Sequence, residues 1–313
     1  MSAAKVALGE RLFYERSLSV TGRYSCASCH DPGRAFSDAR ARAIGATGDP
    51  LPHNALALVN VAYNVSFGWS RRAVRSLETQ MLQPLLNRHP LELGLAGRER
   101  TVCATLAADP SYAQAFAAAF GAAAAAGAAG AAGAAPAGAP SVTLEHIVKA
   151  IASFERTLIS GGSPFDRYVF AGEHDALSGQ AKRGMALFFS RRVGCAGCHS
   201  GFNFAGNWRD VQGATGAPSF ADDGTGAGAL RVPTLRNVAL TAPYMHDGRF
   251  ATLDAVLEHY SALGARAQRG ERHDLRLPRA PLSAGERAAL IAFLGSLTDP
   301  DFVRRFARAA AAR

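Results

Sequence analysis

Four of the five cysteines in this chain fall into two copies of one short motif, C-x-x-C-H, at residues 26–30 and 195–199. Each copy places two thiols one helical turn apart and follows them with an imidazole. Two such thiols can bond the vinyl groups of one porphyrin, and the histidine can then bind its iron as the proximal ligand. The motifs predict two covalently bound haem c groups, attached through Cys26, Cys29, Cys195 and Cys198 and ligated by His30 and His199.

Two other kinds of site could use the same residues. Four cysteines can hold one zinc ion, but zinc ribbons separate their cysteine pairs by about 15–20 residues and give no reason for a histidine after each pair. A redox dithiol would need a βαβ context, which neither segment has. The fifth cysteine, Cys103, lies in an amphipathic helical pattern, which favours a buried small side chain over a reactive thiol.

Helical periodicity dominates the chain, and strand alternation is scarce. The 313 residues and 48% hydrophobic content suffice for two cores. We therefore expect an all-α fold with two cytochrome c-like haem domains and long loops, covering 1–160 and 161–313. The boundary is placed at a glycine pair, Gly161-Gly162, which also ends the preceding helix. The predicted helices are 141–159, 178–189, 252–263 and 283–297, and the alanine- and glycine-rich segment 121–140 is expected to be a surface insertion.

The formal net charge of +9 raises the question of nucleic-acid binding. The arginines are scattered among apolar residues and form no basic stripe with aromatics, so nucleic acid is not expected as a partner. Two haems would add about four propionate carboxylates, and buried arginines can pair with these. No membrane span is expected. The N-terminus lacks the features of a signal peptide, yet haem c attachment occurs outside the cytoplasm, so we expect a periplasmic protein whose leader is missing here.

Several further segments match a known family in order along the chain. They are the residues 8–13 (LGERLF), 54–60 (NALALVN), 153–158 (SFERTL) and 241–248 (TAPYMHDG). With the two haem motifs, they resemble the bacterial di-haem cytochrome c peroxidase and MauG superfamily over nearly the whole chain. Segments 59–64 and 90–95 are most similar to the MbnH branch, whose members oxidise a tryptophan of a partner protein. One departure is W-S-R-R at 69–72, where peroxidases usually have W-D-G-R.

The resemblance implies roles for three further side chains. The first haem would be the peroxide site, with Glu92 as its distal carboxylate, whereas without the resemblance Glu92 reads as a surface residue. The second haem would take Tyr260 as its sixth ligand, although Tyr260 also fits an apolar helix face, and Met245 and His259 are alternatives. Trp69 would relay electrons between the haems, or it is a packed aromatic.

A calcium ion between the domains is also implied by the resemblance. Its ligands would be Asn54, Thr241 and Pro243, through an amide oxygen and backbone carbonyls that suit calcium. Asn54 could instead be a turn residue after Pro52-His53. No role is assigned to His53 or to Trp208.

Thioether ligation suits a ferrous electron donor, whereas an anionic phenolate stabilises higher oxidation states of iron. Tyr260 therefore favours an enzyme that uses hydrogen peroxide to oxidise an aromatic residue, a tryptophan, of a periplasmic partner protein by long-range electron transfer. Two alternatives stay open. One is a cytochrome c peroxidase that detoxifies hydrogen peroxide, which Tyr260 opposes, and the other is a non-catalytic di-haem electron carrier, which Glu92 opposes.

Overall fold

A computed structural model describes residues 1–69, 74–121, 142–206, 230–268 and 281–311. Within these ranges the chain forms ten α-helices and no β-strand, which confirms the expected all-α fold. None of these helices is both long and apolar enough to cross a membrane. Apart from Gly121, the expected insertion at 121–140 lies outside the described residues. The helices are α1 (Ala3–Phe13), α2 (Leu77–Leu86), α3 (Glu99–Ala108), α4 (Pro110–Phe120), α5 (Leu144–Glu155), α6 (Pro164–Phe170), α7 (Gly179–Phe189), α8 (Leu253–Gln268), α9 (Ala284–Gly295) and α10 (Pro300–Ala311).

The chain divides into two compact units. The sequence predicts a single boundary after residue 160, and the structure has a break between Leu158 and Ile159. The second unit also contains two loops from the first half of the chain. The first unit comprises Met1–Cys29, Ile44–Leu51 and Val74–Leu158, and the second comprises His30–Ala43, Pro52–Ala73 and Ile159–Arg313. The assignment of one haem domain to each half of the sequence stays a prediction.

In the first unit, α1 packs closely against α5. A Cβ atom on Gly9 would lie 1.9 Å from the Ala150 carbonyl oxygen, so only glycine allows this approach. α5 begins at Leu144, inside the predicted segment 141–159, because the Thr143 side chain accepts a hydrogen bond from the His146 N–H. It ends at Glu155, before the predicted glycine pair, because the Thr157 N–H turns back to the Phe154 carbonyl. The predicted end at Gly161-Gly162 was wrong.

The second unit uses the same device. α7 packs against α9, and a Cβ on Gly184 would lie 1.9 Å from the Ala289 carbonyl oxygen. Gly9 and Gly184 both open the pattern G-x-x-L-F, in the helix that leads to a C-x-x-C-H motif. The core around this helix pair includes Phe188 and Phe293, whose ring centroids lie 5.1 Å apart.

A second repeated pattern, L-x-N-V-A, occurs at 58–62 and 235–239. Its asparagines, Asn60 and Asn237, are fully buried and have positive φ angles of 57° and 59°. Both bind Ser160: the Asn60 Nδ2 donates to its carbonyl at 2.8 Å, and the Asn237 Nδ2 donates to its Oγ at 2.9 Å. The fold is therefore an internal repeat, which our sequence analysis missed and which a self-comparison would have found.

Glu155, the last residue of α5, is a buried carboxyl with 6% of its surface exposed. Burial raises the pKa of Glu155 to about 8. The adjacent Arg156 guanidinium offsets this only in part, because Arg156 donates hydrogen bonds of 2.7 and 2.9 Å to Glu78. The folded protein therefore holds a proton on Glu155 near neutral pH.

We predict that Glu155→Gln removes a pH-dependent loss of stability. As the pH rises from its ordinary pKa of 4.5 to about 8, the unfolded chain ionises Glu155 while the folded chain keeps it protonated. The free energy of unfolding of the wild type should therefore fall by roughly 4 kcal/mol over this interval. The free energy of unfolding of Glu155→Gln should fall by less over the same interval. Urea denaturation of the haem-loaded protein between about pH 5 and about pH 9 measures the difference.

The matched control is Glu145→Gln, because Glu145 lies on the same helix and is exposed. It should leave the wild-type pH dependence in place. Equal pH dependence in the wild type and in Glu155→Gln would contradict the prediction.

Candidate haem sites

The second C-x-x-C-H motif lines a large apolar cavity of the second unit. Cys195, Cys198 and His199 form part of its wall. Most of the remaining wall is apolar, and a porphyrin needs such surroundings together with two thiols and one imidazole. These residues fit a covalently bound haem. The apolar lining residues include Phe188, Val193, Leu235, Val238, Leu253, Leu257, Leu290 and Leu294.

His199 is prepared to bind a metal. Its Nδ1 lies 3.0 Å from the Phe204 carbonyl oxygen, so a proton on Nδ1 donates to that carbonyl and leaves the Nε2 lone pair available. Burial lowers the pKa of His199, and the nearby carbonyls of Phe204 and Pro233 offset this in part. The ring is therefore neutral at neutral pH, which is the form that ligates iron.

The first motif repeats this arrangement. The His30 Nδ1 lies 2.8 Å from the Phe36 carbonyl oxygen, and burial again lowers the histidine pKa. Phe36 and Phe204 are buried residues with positive φ angles of 60° and 46°, and each turns its carbonyl back toward its histidine. His30 belongs to the second unit, whereas Cys26 and Cys29 belong to the first.

The first thiol of each motif is kept protonated. Burial raises the pKa of Cys195 to about 11, and it raises the pKa of Cys26 as well. A redox dithiol needs a lowered thiol pKa, so this chemistry opposes that alternative. Cys103 is half-buried in α3 with its pKa also raised by burial, as expected for a packing residue.

Two carboxyls of the first unit act on Cys26. After burial itself, the charge of Glu155 makes the largest contribution to the raised pKa of Cys26, and Glu92 makes a smaller one. Sequence analysis assigned no role to Glu155. The predicted distal residue, Glu92, is held by its backbone, because the Ala46 N–H donates to its carbonyl and the next residue, Leu93, donates to the Pro84 carbonyl. Glu92 therefore lies beside the last turn of α2.

Tyr260 lines the cavity of the second motif, together with His199 and Met245. His259 does not line it, and its ring packs 5.0 Å from the Phe250 ring. The structure thus brings Tyr260 and Met245 to the second haem site and leaves His259 outside it.

The repeat relates Tyr260 to a residue of the first unit. α2 follows its N-cap Ser76, and α8 follows Thr252, whose Oγ1 accepts from the Ala255 N–H. The eighth residue after each cap is Pro84 in α2 and Tyr260 in α8. A proline side chain has no atom that can ligate iron. At corresponding positions of the repeat, Tyr260 therefore has a side chain that can act as an axial ligand, and Pro84 does not.

Trp69 also lines the second cavity, and it is held by hydrogen bonds exchanged between the two repeats. Its Nε1 donates to the Asn54 carbonyl at 3.0 Å, and its own carbonyl accepts from the Arg231 N–H at 2.7 Å. Asn54 and His246 occupy the positions of the repeat that correspond to Arg231 and Trp69, and the Asn54 N–H likewise donates to the His246 carbonyl, at 3.1 Å. Two imidazoles, His53 and His246, lie near the indole, with ring centroids at 6.0 and 6.4 Å. Residues 70–72 and Trp208 lie outside the described part.

The three residues expected to hold calcium all line this cavity. As oriented, the Asn54 Nδ2 donates to the carbonyls of Pro243 and Met245 at 3.1 and 2.9 Å. Asn54 therefore bridges to another segment and does not form a turn of its own. Its Oδ1 is buried and has no hydrogen-bond partner in the part of the chain that the structure describes. Rotating the amide by half a turn would direct Oδ1 toward these carbonyls, an arrangement that a cation would stabilise.

Comparison with known proteins agrees with this geometry. The family model for the di-haem cytochrome c peroxidase, which also carries the name MauG, matches residues 3–175. The chain is 36% identical to the methylamine utilization protein MauG of Methylorubrum extorquens over 95% of this chain and 79% of that protein. It is 30% identical to the cytochrome c551 peroxidase of Nitrosomonas europaea over 94% of this chain and 80% of that protein.

Among solved structures, a MauG-like protein associated with microbial copper homeostasis superposes with a TM-score of 0.76. It is 33% identical to this chain, and the match covers 97% of this chain and 91% of that one. This similarity supports the expected placement near the MbnH branch. From the family match, the relatives and the paired haem motifs, this chain belongs to the di-haem cytochrome c peroxidase and MauG family and is a haem-dependent oxidoreductase of the peroxidase class.

Proposed function

We propose that this enzyme uses hydrogen peroxide to oxidise a tryptophan of a partner protein by long-range electron transfer in the periplasm. The observation that carries the proposal is the presence of Tyr260 and Trp69 on one cavity with the second haem motif. The two haems, when bound, supply redox-active iron for reaction with peroxide and for electron storage. The relatives named MauG support a partner-directed oxidation.

The side chain at the sixth position decides between this function and its main alternative. A tyrosine phenolate favours an oxidising site, whereas a methionine thioether favours a ferrous electron donor. Tyr260 is aimed into the cavity from α8 and is half-buried there. Met245 lies on the same cavity, and relatives named cytochrome c peroxidase share the fold, so detoxification of peroxide is the second candidate function.

Glu92 would act as the general base and acid toward hydrogen peroxide. Its carboxylate can accept a proton from hydrogen peroxide and return it to the departing oxygen, which assists cleavage of the O–O bond. Pro84 lies near Glu92 and corresponds to Tyr260 in the sequence repeat, and its side chain has no atom that can bind iron. This arrangement opposes a non-catalytic electron carrier, because such a carrier needs neither an open axial position nor a proton-transfer group.

Trp69 would be the relay. Its indole is anchored at both its ring nitrogen and its backbone carbonyl, so its position on the cavity wall is fixed. A folded partner need not reach the iron if electrons leave the partner's tryptophan through intervening aromatic side chains.

The expected calcium ion would bind to Asn54 Oδ1 and the carbonyls of Thr241 and Pro243 in the second unit. The Asn54 amide supports this part of the proposal, because it contacts the Pro243 carbonyl and its Oδ1 has no partner among the described residues. Calcium would link the segment around Asn54 to the segment around Thr241. The Asn54 carbonyl also accepts the hydrogen bond from the Trp69 indole.

We predict that Tyr260→Phe converts a low-spin ferric signal to a high-spin one, because the phenyl ring cannot ligate iron. Electron paramagnetic resonance of the ferric protein measures this change. Tyr244→Phe is the matched control, since Tyr244 lines the same cavity and donates to the Val238 carbonyl. It should leave the low-spin signal unchanged. A signal that survives Tyr260→Phe but disappears in Met245→Leu would assign the ligand to Met245.

We predict that metal analysis of the dialysed protein finds one calcium ion per chain. Asn54→Leu should remove it, because the amide oxygen is lost, whereas Asn54→Asp should retain it through a carboxylate. The backbone carbonyl that holds the Trp69 indole is present in both variants. Wild-type protein without calcium would remove the ion from the proposal.

We predict that peroxide added to the enzyme and a partner encoded nearby causes oxygen incorporation at one tryptophan of the partner. Peptide mapping by mass spectrometry locates the change. Trp69→Phe should abolish it by breaking the relay. Glu92→Gln should slow the consumption of peroxide by about 10²–10⁴-fold, because proton transfer is lost.

Glu99→Gln serves as a control, since Glu99 is partly exposed at the start of α3, where its carboxylate accepts a hydrogen bond from the Gly97 N–H, and the change should leave both rates unaltered. Rapid turnover with reduced cytochrome c, without site-selective change in any partner, would instead support the detoxifying peroxidase.

A further inference from the structure

Arg231 places a cation on the wall of the second haem cavity. The same residue lines a surface cleft formed by residues 63–66, 200–203, 205 and 206. Its Nε donates to the Gly68 carbonyl at 3.2 Å. Among the described residues, no carboxylate lies within 4 Å of it, and no acceptor receives a hydrogen bond from its two terminal nitrogens.

Other enclosed arginines of this protein have acidic partners. Arg236 is 2.6 Å from Asp166, and Arg156 binds Glu78 through two hydrogen bonds. Burial lowers the pKa of Arg231 to about 10, which leaves the guanidinium charged at neutral pH. A partly desolvated charge with no counter-ion among the described residues is costly, so its retention here points to an anionic ligand in the cavity.

We propose that Arg231 binds a propionate carboxylate of the second haem and holds Trp69 against that haem. Propionates are the anionic groups of a porphyrin, and the guanidinium fork matches a carboxylate. The inference rests on the proposed attachment of haem at Cys195 and Cys198.

The link to Trp69 runs through short contacts. The Arg231 N–H donates to the Trp69 carbonyl at 2.7 Å, while its side chain donates to Gly68, the residue before Trp69. An Arg231 side chain fixed by a propionate therefore fixes both carbonyls of the relay segment. Arg231 acts as a positioning residue, and its charge also favours the reduced haem over the oxidised one.

The test is the midpoint potential of the second haem, measured by spectroelectrochemistry of the haem-loaded protein. Arg231→Gln should lower the equilibrium constant for reduction by about tenfold, which corresponds to about 59 mV for one electron. The potential should also become more pH-dependent than in the wild type between about pH 5 and about pH 8, because the propionic acid loses the cation that lowers its pKa. The other titratable side chains on the cavity, His199, Tyr244, His246 and Tyr260, are unchanged.

Two comparisons sharpen the result. Arg231→Lys keeps the charge and should stay within about threefold of the wild-type equilibrium constant. Arg304→Gln removes an exposed arginine from α10 and should change nothing. A potential for Arg231→Gln that matches Arg304→Gln would overturn the proposal, and so would an equal shift in Arg231→Lys and Arg231→Gln.

A crystal structure of the haem-loaded protein gives a check that needs no variant. A terminal nitrogen of Arg231 should lie within about 3.2 Å of a propionate oxygen, and a separation well beyond hydrogen-bonding reach would overturn the proposal. None of these readouts involves a partner protein. Failure of tryptophan oxidation and failure of this inference are therefore distinguishable.

Discussion

The second unit depends on hydrogen bonds that its two sequence repeats exchange. Asn60 and Asn237 are buried polar side chains in the left-handed conformation, and both are satisfied by Ser160. A shift of one repeat relative to the other would break these hydrogen bonds. Such a shift is unfavourable, because each buried amide left unpaired costs about 1–3 kcal/mol. The same exchange continues at the cavity wall, where the N–H groups of Asn54 and Arg231 each donate to the opposite repeat. The surroundings of Trp69 are therefore formed together with the core.

The two histidines that we expect to be proximal ligands depend on an equally local arrangement. A buried phenylalanine with positive φ returns its carbonyl to the imidazole in each repeat. This strain is stored in the backbone, and the hydrogen bond that it permits fixes which ring nitrogen faces the metal. Phe36 and Phe204 thus link the hydrophobic core to the chemistry of iron, because the same residue that packs also orients the ligand.

The strongest sequence signals were those with strict covalent or periodic requirements. The thioether motifs and the helical fold could both be predicted, because each depends on residues close together in sequence. The early end of α5 could not, since it follows from the Thr157 N–H turning back to the Phe154 carbonyl, which no sequence pattern marks. The proposed role of Arg231 was equally hidden, because its lack of an acidic partner in the described parts of the chain is a property of the folded surroundings. Ligation by Tyr260 and proton transfer by Glu92 stay predictions.

The correspondence of Pro84 and Tyr260 has a consequence for how such enzymes diversify. A duplicated scaffold begins with two equivalent metal sites, and equivalent sites cannot divide a reaction into a part that meets the oxidant and a part that retains charge. In the arrangement proposed for Tyr260, a single residue at the eighth position of one helix breaks that equivalence. Everything else in the repeat, from the glycine contacts to the returning carbonyls, can stay the same. Asymmetry of function in this architecture therefore requires little change in sequence, and the direction of electron flow can be set without altering the fold.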